Sequence, residues 1–149
     1  MNLSGRISSF ELLGNILRSF PDPPAGFGKE CRIISDAAEK AEKDNPWFTH
    51  DQVTRALNSL GDSLRRVNLE KWLEPYLEKI GASESQYTVG VVMAGNIPAV
   101  GFHDLLCVLI SGNRLTAKLS AQDRHLLPGM VEVLKTVDLE WNDLVTWSD

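Results

Sequence analysis

The sequence is poor in the residues that usually announce a functional site. Its two cysteines, Cys31 and Cys107, are far apart and in no metal-ligand spacing, so neither a disulfide framework nor a zinc motif is expected. The three histidines, His50, His103 and His125, form no metal pattern either, and no metal site is expected. Long apolar runs are missing. The longest, around residues 105–110, falls well short of the ~20 residues that a membrane-spanning helix needs. The N-terminus carries Arg6 but no apolar stretch of the kind a signal peptide requires. Fifteen Lys and Arg are interspersed with twenty Asp and Glu for a net charge of −5. No basic stripe marks a nucleic-acid partner. These absences together predict a soluble cytoplasmic protein with two free thiols.

What remains is an ordinary globular composition, 149 residues with 43% hydrophobic, enough for one domain with a real core. The first half reads as helical. Residues 8–11, Ser-Ser-Phe-Glu, form a capping-box pattern with Ile7 and Leu12 in staple positions. Phe10, Leu13, Leu17 and Phe20 follow at helical spacing until Pro21, Pro23 and Pro24 end the pattern. A second helix is predicted over residues 27–43, with Ile33, Ile34, Ala37 and Ala41 inward and Asn45-Pro46 breaking it. Thr49 and Gln52 form another capping box, with Phe48 and Val53 as its staple. Asn68 is a candidate cap for a short helix carrying Leu69, Trp72 and Leu73; Pro75 should kink or end it, and Gly81 is a candidate C′ residue for residues 76–80.

Near Gln86 the pattern changes. Residues 87–93 are β-branched and apolar without polar alternation, which predicts a strand buried on both faces in a parallel sheet. Residues 99–110 are apolar nearly all round and predict a helix packed on that sheet. Ser111-Gly112-Asn113 is a turn, residues 114–119 a second strand, residues 123–137 a helix, and residues 143–147 the start of a third strand. The four tryptophans read as core and interface residues, with exposure the alternative for Trp141 and Trp147. The fold class is therefore α/β, with a helical segment over residues 1–83 and a β-α-β-α unit with the start of a third strand over residues 84–149.

Asn96 lies in the turn after the first strand, at the end of a strand where open α/β sheets bind ligands. Its amide NH₂ suits an oxyanion, since it donates without carrying charge; turn propensity explains it equally. Gly95 can admit close backbone approach to a ligand, and Pro98 suits the first turn of a helix. Lys118 ends the second strand, either as a cationic donor to a ribose or phosphate or as a solvated strand-end lysine. Ser120 can donate to the same group or cap the next turn. Residues 93–98, Met-Ala-Gly-Asn-Ile-Pro, hold one glycine where a Gly-x-Gly-x-x-Gly loop has three, so a standard Rossmann phosphate loop is not supported. Cys107, inside an apolar helix, reads as an inert core thiol, and His103 as a packed or capping histidine.

Residues 91–120 resemble the Gly-Val-Val…Asn-x-Pro…Gly-Asn…Lys-x-Ser series of aldehyde dehydrogenases. More closely, Val-Gly-Val-Val-Met-Ala-Gly-Asn-Ile-Pro at 89–98, Gly-Phe-His-Asp at 101–104 and Asn-Pro-Trp-Phe-Thr at 45–49 resemble fatty acyl-CoA reductases, the LuxC-type relatives of that superfamily. The resemblance spans most of the chain and is strongest over residues 89–128. It implies that residues 84–149 are a partial dinucleotide-binding domain with an aldehyde-dehydrogenase-like sheet, and reduction of a fatty acyl-CoA or acyl-protein thioester to the aldehyde. The cysteine nucleophile of such enzymes lies well downstream of this unit, so the chain is expected to be an N-terminal portion, inactive alone. Asn96 would be the oxyanion asparagine. Val92, Met93, Ala94 and Gly95 would run beside the cofactor, and Lys118 and Ser120 would reach the adenosine ribose. Many NAD-dependent relatives carry Glu where this chain has Ala121, so NADP(H) is expected over NAD(H). Neither cysteine matches the family nucleophile. The alternative is a non-catalytic nucleotide-binding or interaction module, with sheet edges that invite self-association.

Overall fold

The computed structural model describes every residue except Pro23, Ser83, Glu84 and Asp149. One of the helix-ending prolines and the boundary between residues 83 and 84 therefore lie outside the described residues. Helix α1, Leu3–Arg18, starts at Asn2, whose side chain accepts the Gly5 N–H at 2.9 Å. The Ser8/Glu11 pair is not its cap. Both residues sit inside the helix, where Arg66 Nε donates to Glu11 Oε2 at 2.9 Å and its Nη2 to Ser8 Oγ at 2.8 Å. A capping-box spelling was met by a second use of the same groups, an ion pair and a hydrogen bond to a neighbouring helix.

Helix α2, Gly28–Asp44, turns Ile34, Ala37, Ala38 and Ala41 inward and ends at Asn45, close to expectation. Helix α3, His50–Ser63, has the reciprocal Thr49/Gln52 capping box, and its staple residues Phe48 and Val53 are both buried. Helix α4, Arg66–Leu73, begins two residues before Asn68; the Asn68 amide donates instead to the Asp62 carbonyl at 2.9 Å. Pro75 lies in a 3₁₀ turn that separates α4 from α5, Leu77–Ala82, which runs past Gly81 rather than stopping there.

Strands β1, Thr88–Val92, and β2, Arg114–Lys118, pair in parallel with Val92 opposite Lys118. Helix α6, Phe102–Ile110, crosses between them. Helix α7, Leu126–Val137, leads to the parallel edge strand β3, Val145–Ser148. The α/β architecture is thus as expected, with sheet order β1-β2-β3. Burial on both faces is not. Val89, Val91, Leu115 and Ala117 point to the helices, while Thr88, Gly90, Arg114 and Lys118 alternate to the other side, and Val92 there is 81% exposed. The apolar run of β1 hides that alternation because Gly90 and Val92 carry no polar mark on the outer face.

Helix α1 is the centre of the molecule, packing against α3, α4, α6 and α7, and α2 lies along α7. One continuous core joins residues of the helical half to residues of the sheet. Trp141 is a core residue, 1% exposed, and stacks edge-on against Phe10 with centroids 5.4 Å apart; α1 covers it, so the alternative of an exposed ring does not hold. Among the described residues, no helix is long and apolar enough to cross a membrane.

Candidate functional site

The loop after β1 is held at three points by residues 118–123. Met93 N–H donates to the Lys118 carbonyl at 2.9 Å, carrying the strand pairing one residue further. Gly95 is buried against the segment after β2; a Cβ here would collide with Cβ and Oγ of Ser120. The glycine expected to admit a ligand admits Ser120 instead. Ala99 takes the left-handed conformation at φ 57°, unusual for a residue with a Cβ. Its N–H donates to Asp123 Oδ2 at 2.7 Å in a buried contact.

Asp123 is the residue that sequence reasoning missed. The hydrophobic period places it first in a helix, but α7 begins at Leu126 and Asp123 lies in the turn before it. Its Oδ1 accepts the Leu126 N–H at 3.4 Å, so one buried carboxylate ties the Asn96 loop to the start of α7. Burial pushes this carboxyl above the ordinary carboxylate range, and the N–H groups of Ala99 and Leu126 pull back only part of the shift. The loop also delays α6. Pro98 sits in a turn at residues 98–101, not in the first helical turn, because Ala99 in the left-handed region cannot start a helix.

The expected site residues divide into two sets. Val92, Ala94, Asn96 and Lys118 are exposed at the carboxyl ends of the strands, Met93 and Gly95 are buried beneath them, and Ser120 is half-buried. Ser120 Oγ accepts the Gln122 N–H at 3.2 Å, the turn-capping role named as its alternative. Among the described residues, neither the Asn96 amide nor the Lys118 ammonium has a hydrogen-bond or ion-pair partner. Asn45, from the Asn-Pro-Trp-Phe-Thr segment, is buried and donates to the Gln122 carbonyl at 3.1 Å, joining the helical half to the turn after Ser120.

A second concavity lies along α6. A cleft of about 500 Å³ is lined by Trp72, Tyr76, Tyr87, His103, Cys107 and Ile110, among others. Cys107 is half-buried here and not a core thiol, with Sγ 3.6 Å from His103 Nε2. The i, i+4 spacing of His103 and Cys107 on an otherwise apolar helix was the available signal; Trp72, from a distant segment, had none. Burial and the Asp104 charge push the Cys107 thiol up, and burial and Glu30 do the same for Cys31. Neither is poised as a thiolate nucleophile. Among the described residues, no three His, Cys, Asp or Glu side chains are placed to hold a metal ion together. Comparison of the chain with protein-family models, with curated proteins and with solved structures finds no match.

Proposed function

We propose that this chain carries the cofactor-facing, oxyanion-stabilising part of a cytoplasmic fatty acyl-CoA reductase, which reduces an acyl-CoA or acyl-protein thioester to the aldehyde with NADPH in preference to NADH. The observation that carries this reading is the pairing of two unpartnered donors. Among the described residues, the Asn96 amide and the Lys118 ammonium have no partner at the carboxyl ends of adjacent parallel strands joined by a βαβ crossover.

The fit to a dinucleotide is carried by the rim. Lys118 offers an uncommitted cation to a ribose or phosphate, and the exposed Ala121 brings no carboxylate to repel a 2′-phosphate. The Gly95 slot, filled by Ser120, is not a phosphate cradle. A bound NADPH would supply the hydride. Asn96 would donate to the carbonyl oxygen as charge develops on it, a neutral donor held by a loop that Asp123 anchors. The apolar cleft beside α6 offers room for an acyl chain, with His103 on the first turn of the helix that follows Asn96. Because burial shifts both thiols away from the thiolate form and neither matches the nucleophile of such enzymes, this chain by itself is expected to give no acyl-CoA turnover.

Titration with NADPH and NADH tests the reading. NADPH should bind more tightly than NADH, Lys118→Ala should weaken it about tenfold, or 1.4 kcal/mol, and Asn96→Ala should leave cofactor binding little changed. Absence of binding to the parent chain by either nucleotide rejects it. A second reading, an interaction module without catalysis, is favoured by the uncovered outer face and two open edges of a parallel sheet. Self-association without nucleotide binding would support that one.

A further inference from the structure

The geometry points to His103 and Cys107 as a two-ligand site for a thiophilic divalent cation of the zinc class, on the cleft side of α6. This inference is independent of the reductase reading. The two residues are one helical turn apart, so both side chains rise from the same face. Zinc bonds of about 2.3 Å to sulfur and 2.0–2.1 Å to nitrogen, at a tetrahedral angle, put the two ligand atoms about 3.5 Å apart; here Sγ and Nε2 are 3.6 Å apart. The imidazole is steadied by Trp72, whose ring is tilted against it with centroids 5.9 Å apart. Burial first, and then the carboxylate of Asp104 between the two ligands in sequence, disfavour a bare thiolate. The same negative field attracts a cation.

Binding exchanges the thiol proton for the metal. The S–H bond breaks, the proton leaves to solvent, the sulfur lone pair bonds the cation and neutral His103 donates its Nε2 lone pair; no electrons change hands. Two protein ligands leave the remaining positions to water or to a donor atom of whatever occupies the cleft, one protein ligand fewer than the three of catalytic zinc sites.

Cadmium ion is the probe, added to the full chain and followed by its thiolate charge-transfer absorption in the ultraviolet. One equivalent should bind, with release of one proton, and zinc should compete. Cys31→Ser leaves Cys107 as the sole thiol and should keep the band at full strength. Cys107→Ser should abolish it, and His103→Ala, at an exposed position, should weaken binding by about tenfold or more. A band lost in Cys31→Ser, retained in Cys107→Ser, or unchanged in affinity in His103→Ala would overturn the site. Should Cys107→Ser fail to fold, the Cys31→Ser and His103→Ala results decide the matter between them.

Discussion

Gly95 and Asp123 both fix the Asn96 loop against residues 120–123, and each can be tested by a single substitution. Gly95→Ala forces a Cβ into Ser120, an overpacking that should cost about 1–3 kcal/mol in chemical denaturation; adding Ser120→Gly should recover part of it. Gly90→Ala, where nothing lies within 4 Å, should fall within about 0.5 kcal/mol of the parent. Asp123 and Asp44 should bend the stability profile in opposite directions. Asp123 is raised by burial, so its contribution is fully present below about pH 3.9 and is lost as pH rises through the raised folded value. The cost of Asp123→Asn should therefore be greatest in acid and shrink with rising pH. Asp44 is lowered, first by its hydrogen bond with His125 at 2.6 Å. Its contribution is present above about pH 3.9 and is lost as pH falls through the depressed value. Urea titrations at several pH values, with His125→Ala removing the second effect, would resolve the two.

Among the elements, those whose ends are set by local chemistry were legible. The Thr49/Gln52 box and its Phe48/Val53 staple were readable because every partner lies within a few residues. Thr49→Ala should cost about 1 kcal/mol in thermal or urea unfolding. Elements whose ends are set by distant partners were misplaced. The first residues of α1 were hidden because Ser8 and Glu11 answer to Arg66, from another helix. The starts of α6 and α7 were read too early because a hydrogen bond between Ala99 and Asp123 holds both segments in turns. The site was legible to the same extent. Asn96 and Lys118 could be named from their strand ends, whereas Asp123, Trp72 and the exposure of Cys107 depend on segments brought together from far along the chain.

At the scale of the molecule, the sheet is the informative layer because, among the described residues, only one of its faces is covered. Leu115→Ala, on the covered face where Leu115 is 1% exposed, should cost about 2–5 kcal/mol in denaturant unfolding. Val92→Thr, on the open face, should stay within about 0.5 kcal/mol. The order of helices and strands, the capping of α3 and the placing of Asn96 at a strand end follow from hydrophobic period, turn residues and caps, all short-range properties written in adjacent residues. Which strand face meets the helices, why Gly95 must be glycine, how Trp141 came to be buried and where Cys107 meets His103 beneath Trp72 were decided by tertiary packing. Those outcomes depend on distances between residues far apart in the chain, which no local pattern records.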